Sequence, residues 1–193
     1  MRSPGRMIKA YIDTNIFIYA IAHHPSYGAP CSRILRDFGK GVYEPQGSLL
    51  VAVELLGALS RVEPSIARRA VELYLALDIP ILPLSVEAIC LASIVNEVVN
   101  VKYDAIHAAL MMLHDVPVII TNDVDDWLRI ARDYDAIREM ALREGYRIGL
   151  SRIEVVTPDS YPKWYESLST SQDGLRRGEN LWKRGSTGGV AHA

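Results

Sequence analysis

Short apolar runs alternate with longer segments of helical periodicity along most of the chain. Runs of strand length cover residues 8–13, 79–85 and 116–123. Apolar spacing typical of helices covers a larger set of segments, at 15–24, 49–61, 66–78, 86–99 and 105–115. Strands that alternate with helices in this way indicate an α/β domain with a mostly parallel sheet.

Polar residues mark the predicted starts of several helices. Thr14 and Asn15 offer an N-cap for the first helix, and Ser48 and Ser85 do the same for two later ones. The segment 49–61 is apolar nearly all round, so we expect a helix that is buried on every side.

The pattern changes in the last third of the chain. Residues 131–148 have amphipathic spacing and predict one extra helix, and 153–158 predict a last strand. Glycine, serine and charged residues then replace aliphatic ones, which is typical of a flexible tail. We therefore predict one domain over 1–168, with its core at about 8–157, and a tail over 169–193.

The composition supports a globular domain and narrows its ligands. The 193 residues are 49% apolar and 23% charged, with a net charge of −2. No run reaches the ~18 apolar residues of a membrane span, and polar residues 13–15 interrupt the only segment placed like a signal peptide, so we expect a cytoplasmic protein. A polyanion would need a local basic patch or a bound metal. The arginine-rich stretch 129–152 is either such a patch or a solvated helix face.

Four carboxylates occupy positions where burial alone would favour other residues. Asp13 and Asp123 each end an apolar strand, and parallel sheets bind ligands at the carboxyl ends of strands. Glu54 is the only charged side chain in 49–59, and Asp104 begins a helix. Asp13 and Asp104 could instead be helix caps. Asp123 could be an Asx-turn residue and Glu54 a carboxylate at a pocket rim.

The occurrence of all four acids in one α/β chain predicts a shared site. Two like charges about 5 Å apart repel by roughly 3 kcal/mol at an effective dielectric of about 20, so clustered carboxylates take up protons or cations. Oxygen ligands without His or Cys favour Mg²⁺ or Mn²⁺ over zinc. A metal ion so held can activate water against a phosphodiester, which lets an acidic protein cut a polyanion.

The segments around these acids resemble a known family. YIDTNIFIYA, the helix of Glu54, YDAIHAALMM and IITNDVDDW are similar in order and spacing to a PIN domain. They are similar to the prokaryotic stand-alone type, which includes toxins of virulence-associated toxin–antitoxin pairs. The resemblance runs from about residue 8 to 130, then loosely through IEVVTP.

The resemblance implies a three-layer α/β/α PIN-like fold and a Mg²⁺- or Mn²⁺-dependent endoribonuclease that cuts single-stranded RNA. It also implies an antitoxin protein as a partner and a homodimer, to which the apolar helices could contribute. The catalytic and metal-binding roles fall on four acids: Asp13, Glu54, Asp104 and Asp123.

Further residues take supporting roles by the same resemblance. Family members often carry one more acid just before an aromatic residue, and either Asp125 or Asp126 could be that metal ligand. Adjacency to Trp127 favours Asp126. Three small polar residues would orient carboxylates or waters or hold the turn after the first strand: Thr14, Asn15 and Thr121.

Three histidines are predicted to lie outside the catalytic set. His23 and His24 follow the first helix and indicate a solvated helix end. His107 lies three residues after Asp104 on the same helix face, and we expect a core or supporting histidine there.

Other functions remain open from the sequence. One is a non-catalytic PIN module that binds RNA or protein, and another is an RNA-processing or decay nuclease outside any toxin–antitoxin pair. A receiver-like or phosphohydrolase domain is disfavoured. Receivers have two adjacent acids early in the chain and a Lys after a late strand, and this sequence has neither. The segment DTN lacks the second Asp of the usual phosphohydrolase motif.

Overall fold

A five-stranded sheet forms the centre of the protein, whose computed structural model describes residues 7–170. The strands, in chain order, are β1 (Lys9–Ile12), β2 (Glu44–Ser48), β3 (Ile81–Leu82), β4 (Val118–Ile120) and β5 (Glu154–Val156). Their spatial order is β3-β2-β1-β4-β5, and every neighbouring pair is parallel. The predicted α/β class with a parallel sheet is therefore confirmed.

Helices connect all of the strands. Within the described residues they are α1 (Thr14–Ile21), α2 (Gly28–Arg36), α3 (Leu49–Ser60), α4 (Pro64–Leu75), α5 (Val86–Val99), α6 (Asp104–Leu113), α7 (Val124–Arg132), α8 (Tyr134–Arg143) and α9 (161–170). The first four pack on one another, and α5 packs on α6, α7 and α8. Right-handed crossovers put these two groups on opposite faces of the sheet, which gives the three predicted layers.

The two central strands are buried on both faces. Ala10 to Ile12 of β1 and all of β4 are fully inaccessible to solvent, as expected for a parallel sheet covered by helices. Strand β1 pairs with β4 so that Ile12 lies beside Ile120. The residues that follow these two positions therefore emerge together at one edge of the sheet. No helix between residues 7 and 170 is long and apolar enough to cross a membrane.

Strand β2 was not predicted from the sequence pattern. Its sequence EPQGS holds a proline and a glycine, both depleted in strands. Pairing with β1 on one side and β3 on the other stabilises the extended conformation of this segment, although its own residues do not favour a strand. Gly47 is required by packing, because a Cβ there would overlap the hydroxyl of Tyr74, which hydrogen-bonds both backbone groups of Ser48 at 2.8 Å.

The expectation that α3 is buried on all sides is wrong. Leu55 and Leu59 are buried in the core, but Leu49, Val53 and Leu56 are exposed by 50%, 61% and 51%. These three residues recur at i, i+4 and i+7, so they form one apolar stripe along the outer face of the helix. We call these three residues the α3 stripe.

The predicted single helix at 131–148 is also wrong. Helix α7 begins at Val124, before the predicted start at residue 131, and α8 follows it after Asp133. The backbone of Asp133 has φ −96° and ψ 14°, which ends one helix and starts the next. Gly145, with φ +91°, follows α8, so the helix ends before the predicted limit of residue 148.

The last predicted strand and the tail have different outcomes. Strand β5 is confirmed at Glu154–Val156. The predicted tail begins at residue 169, but residues 169–170 are the end of α9. The rest of the predicted tail, 171–193, lies outside the described residues.

Candidate metal centre

Asp13 is the innermost carboxylate at the carboxyl edge of the sheet, with only 7% of its surface exposed. Its Oδ2 accepts hydrogen bonds from Thr121 Oγ1 at 2.5 Å and from Asn15 Nδ2 at 2.7 Å. The Asp13 backbone N–H bonds to Ile120 O at 3.0 Å, which ties the end of β1 to the end of β4. One carboxylate oxygen is thus fixed by two side-chain donors, and the backbone N–H of Thr14 also bonds to the carboxyl group.

The hydroxyl of Thr121 is fully used in this network. It donates to Asp13 and accepts from Asn15 Nδ2 at 2.9 Å and from the Asp123 N–H at 3.0 Å. The side-chain oxygen Oδ1 of Asn15 accepts a hydrogen bond from the backbone N–H of Asn122 at 3.0 Å. Thr121 and Asn15 therefore fix the orientation of Asp13, as expected of residues that position a carboxylate.

The residues at the start of α1 point into the site and do not cap the helix. The N-cap residue is Asp13, not Thr14 or Asn15 as predicted, and its side chain makes no capping hydrogen bond. Thr14, also buried, donates its hydroxyl to Glu54 Oε2. The reading of Asp13 as a simple helix cap is therefore not supported. The side chains of Asp13, Thr14 and Asn15 therefore make contacts across the site and no capping hydrogen bond to α1.

Glu54 is half-buried, with 30% of its side chain exposed, and is held by a histidine. His107 Nε2 lies 3.1 Å from Glu54 Oε2, and His107 Nδ1 lies 2.8 Å from the Tyr11 hydroxyl. Tyr11 in turn lies 2.5 Å from Ser48 Oγ. Glu54 has no Lys or Arg within a turn of its own helix, and His107 supplies the missing cation from α6.

The pKa shifts of this pair favour the ionised form of both groups. Burial alone would raise the pKa of Glu54, but the hydrogen bond and charge of His107, with the bond from Thr14, outweigh it and lower the pKa. Burial alone would lower the pKa of His107, but Glu54, Asp13 and Asp104 raise it. A charged His107 donates from both ring nitrogens, to Glu54 and to Tyr11.

Two carboxylates and one imidazole converge beyond the carboxyl edge of the sheet. One ligand atom from each of Asp13, Glu54 and His107 lies within 4.8 Å of the other two. Burial raises the pKa of Asp13, and the charge of His107 and the bond from Thr121 offset this only in part. The cluster therefore carries more negative charge than its protein contacts balance.

Asp104 adds to that excess from the first turn of α6. It is not the N-cap residue, since that position belongs to Tyr103, and no side-chain cap forms there. Burial raises the pKa of Asp104 to about 7, and the charges of Asp13 and Asp123 contribute, against the opposing effect of His107. A carboxyl group with such a pKa is one that a proton or a metal ion would neutralise.

The acids after β4 lie at the outer side of the site. Asp123 is exposed at the N-cap position of α7, where its side chain makes no capping bond. Asp126 is half-buried and forms an ion pair with Arg129. Its negative charge, like that of Asp123, helps to raise the pKa of Asp104. Asp125 is exposed. This placement favours Asp126 over Asp125 as the acid nearer to the centre, in agreement with its adjacency to Trp127.

The donor set fits a hard divalent cation. The oxygen ligands available are the carboxylates of Asp13, Glu54 and Asp104, with Asp123 and Asp126 near the rim, and Mg²⁺ and Mn²⁺ favour such ligands. The raised pKa of Asp104 is the observation that supports the fit. His107 is engaged at both nitrogens, so we assign it a supporting contact to Glu54.

His107 and Tyr11 are the parts of the site that sequence analysis underestimated. A histidine three residues after Asp104 gave a weak signal for the contact, since it placed His107 on the Asp104 face of α6. Tyr11 gave none, because a tyrosine inside an apolar strand reads as core. His24, predicted at a solvated helix end, is half-buried and contacts the rings of Tyr19 and Tyr27, at ring-centroid distances of 4.8 Å and 5.2 Å.

A parallel α/β/α sandwich with clustered acids beyond β1 and β4 defines the class of this protein, and sequence comparison defines the family. The family model described as PIN domain matches residues 10–133, more than half of the chain. The chain therefore belongs to the PIN-domain family, as its motifs predicted.

Two solved structures illustrate the similarity of fold. One is the crystal structure of VapBC2 from Rickettsia felis bound to a DNA fragment from their promoter, at 15% identity and TM-score 0.54, covering 78% of this chain and 98% of that chain. The other is DNA-bound VapBC from Salmonella typhimurium, at 19% identity and TM-score 0.50, covering 77% and 98%. At these identities the likeness is one of fold. No curated protein matches the chain in sequence.

Proposed function

We propose that the protein is a Mg²⁺- or Mn²⁺-dependent endoribonuclease that cuts single-stranded RNA, and that it acts as the toxin of a toxin–antitoxin pair in the cytoplasm. The observation that carries the proposal is the convergence of Asp13, Glu54 and His107, whose ligand atoms lie within 4.8 Å of one another, beside the carboxyl group of Asp104, whose pKa is raised by burial and by the charge of Asp13. Asp123 and Asp126 would complete the ligand set from the α7 side.

The reaction would be hydrolysis of a phosphodiester. The oxygen of a water molecule would bond to phosphorus as the bond to the leaving oxygen breaks, and the water's proton would pass to a base while the leaving oxygen is protonated. A divalent cation bound by these acids would lower the pKa of water and neutralise charge on the phosphate. Thr121 and Asn15 would keep Asp13 in one orientation, and His107 and Thr14 would do the same for Glu54.

The toxin role rests on the relatives and on the surface. Both similar structures described above contain VapBC assemblies, which supports an antitoxin protein as partner. The α3 stripe gives physical support for a protein partner, because apolar side chains aligned on one helix face are typical of interfaces. We propose that this face takes part in a homodimer, in antitoxin binding, or in both.

Cleavage of end-labelled single-stranded RNA by the purified full-length chain tests the proposal, in Mn²⁺, in Mg²⁺ and in EDTA. Asp104→Asn removes a central carboxylate and should reduce cleavage at least a hundredfold. Asp135→Asn, at an exposed acid on α8, is the matched control and should cut like the wild type. Identical preparation of the three proteins exposes any contaminating nuclease.

The outcomes separate the candidate functions. Metal-dependent cleavage that Asp104→Asn loses supports the nuclease. Wild-type cleavage by Asp104→Asn contradicts the assignment of the centre. A folded protein that neither cleaves RNA nor binds Mn²⁺ in a calorimetric titration favours the non-catalytic PIN module. Cleavage without any growth arrest on expression in bacteria favours a processing or decay nuclease.

A further inference from the structure

A cavity lies at the end of α1 that is remote from the carboxylates. It has a volume of about 400 Å³ and is formed by the α1–α2 turn and one face of α2. Its lining includes His23, His24, Gly28, Ser32 and Arg36. We call it the α2 pocket. No carboxylate belongs to its lining within residues 7–170, so its polar side chains are hydroxyl, imidazole and guanidinium groups.

The hydrogen bonds of His24 decide what its ring offers to the pocket. Its Nδ1 accepts the backbone N–H groups of Ser26 at 3.3 Å and of Tyr27 at 3.2 Å. The proton of the neutral ring is therefore on Nε2, which is a donor. Stacking on Tyr27, with 23° between the ring planes, holds the imidazole in this orientation.

Arg36 brings an uncompensated cation to the same pocket. It lies four residues after Ser32 and so on the same face of α2. Arg33, on another face, has Asp37 at 3.9 Å, whereas Arg36 has no ion-pair partner in the part of the chain that the structure describes. A guanidinium without a protein partner, next to a hydroxyl and an imidazole N–H, is suited to bind an anion.

The turn that forms the pocket depends on Gly28. A Cβ at this position would lie 2.9 Å from the carbonyl carbon of His23, closer than side chains approach backbone. The Gly28 N–H bonds to His24 O at 2.8 Å, which closes the turn on the first residue of α2. The two histidines and α2 are therefore held together by backbone contacts and not only by side-chain packing.

We propose that the α2 pocket binds a phosphate group of single-stranded nucleic acid, a few nucleotides away from the bond that is cut. The lining offers a guanidinium, an imidazole N–H and a hydroxyl and, within residues 7–170, no carboxylate, which favours an anion. A guanidinium with an adjacent imidazole matches the oxygens of a phosphate. Helix α1 joins the pocket to Asp13 over eight residues, or about 12 Å, which a few nucleotides span. The inference rests on the proposed function for the identity of its ligand.

Binding of a fluorescent 12-nucleotide RNA in EDTA, measured by anisotropy with the full-length chain, tests the proposal without cleavage. We expect Arg36→Ala to weaken binding about five- to twentyfold. It should also reduce the slope of log affinity against log salt by about 0.7, the value for one lost phosphate contact on a single strand. Arg69→Ala, at an exposed arginine of α4, is the matched control and should bind like the wild type.

Two further arms complete the experiment. Thermal unfolding of each variant shows that the fold is retained, because Arg36 is exposed and its removal should leave the melting temperature unchanged. Titration with inorganic phosphate, followed by nuclear magnetic resonance, distinguishes a free ion from a strand. Phosphate should bind at least tenfold more weakly than one RNA strand.

Each result has a defined meaning. The proposed phosphate site is rejected if Arg36→Ala, Arg69→Ala and the wild type have equal affinities for RNA and equal salt slopes. It is also rejected if the protein binds phosphate but not RNA. Weaker RNA binding by Arg36→Ala, with no metal-dependent cleavage by the wild type, keeps the pocket and rejects the nuclease. Cleavage lost in Asp104→Asn, with unaltered binding in Arg36→Ala, keeps the nuclease and rejects the pocket.

Discussion

His107 Nε2 lies 3.1 Å from Glu54 Oε2. The histidine is almost fully buried, whereas the glutamate side chain is partly exposed to solvent. The two residues come from α6 and α3, which lie in different helix groups. Their contact joins the groups above the carboxyl edge of the sheet. It also places a positive charge among carboxylates that would otherwise repel one another.

Removal of the His107 ring should weaken both the fold and the centre. We expect His107→Ala to lower the free energy of unfolding by about 2–4 kcal/mol, because it leaves a cavity and unpaired polar groups on Glu54 and Tyr11. Metal affinity should fall about 10–100-fold, as for other residues that orient ligands. Urea denaturation and calorimetric Mn²⁺ titration measure the two effects. His114→Ala is the control, and equal metal affinity in both variants would contradict the assigned contact.

The hydroxyl of Thr121 should matter more than its size. Thr121→Val keeps the shape but removes one donor and one acceptor, so we expect a loss of about 1–3 kcal/mol in the free energy of unfolding. Asp13 would lose one of its two side-chain donors, and RNA cleavage should fall. Thr121→Ser restores the hydroxyl and should recover most of the cleavage rate. A valine variant as active as the serine variant would show that the hydroxyl does not position Asp13.

Asp104 should destabilise the metal-free protein at neutral pH. Its pKa in the folded state is about 7, against 3.8 ordinarily, chiefly because of burial and the charge of Asp13. The folded state keeps a proton that the unfolded state releases, so the penalty grows as the pH rises from about 4 and is complete above about 7. In EDTA at pH 8 we expect Asp104→Asn to be more stable by about 1–3 kcal/mol, a range reduced for partial exposure.

Denaturation of both proteins in EDTA from pH 4 to pH 8 checks this sign. The stabilisation should vanish near pH 4, where both states of the wild type hold the proton. Mn²⁺ at pH 8 should then raise the melting temperature of the wild type more than that of Asp104→Asn. A variant that is less stable than the wild type at pH 8 would rule out unbalanced charge at Asp104.

The sequence predicted the sheet edge well, and for a clear physical reason. Asp13 and Asp123 follow apolar runs that only a buried parallel strand accommodates, so their placement followed from the pattern. Glu54 stood out because its helix holds no other charge nearby. Strand β2 could not be predicted, since its pairing partners and not its residues make it a strand.

The contacts around the carboxylates were largely beyond the sequence. Thr14 and Asn15 are good caps by residue type, but tertiary bonds to Glu54 and Asp13 use their side chains instead. The contact between His107 and Glu54 spans 53 positions, and no local pattern records it. The exposed side of α3 was missed because a helix that is apolar all round has no periodicity to show which side faces water.

Two glycines should respond in opposite ways to alanine. Gly47→Ala places a methyl group against the Tyr74 hydroxyl in the core, and we expect a loss of about 1–3 kcal/mol in the free energy of unfolding. Gly57 is exposed in the middle of α3 with nothing within 4 Å of a Cβ, so Gly57→Ala should gain about 0.5–1 kcal/mol. Urea denaturation of both variants measures the difference, and similar values would contradict the packing described for β2.

The α3 stripe should govern association and not folding. We expect Leu56→Lys to change the free energy of unfolding by no more than about 0.5 kcal/mol, because half of the side chain is already in water. Sedimentation equilibrium should show a dimer for the wild type and a monomer for the variant. Val86→Lys, at a residue 81% exposed at the start of α5, is the control and should remain dimeric. A wild-type monomer at every concentration would reject the homodimer.

The hydrogen bond between Asp13 and Thr121 joins residues 108 positions apart. Asp13 directly follows β1, yet the hydroxyl that orients it belongs to a segment that is synthesised much later. Ile120, which also holds Asp13, arrives at the same time. A nascent chain that stops anywhere before these residues has the first acid without its supports, so the centre is completed only when β4 joins the sheet. The order of synthesis thus leaves the candidate centre incomplete until β4 and the residues after it have been made.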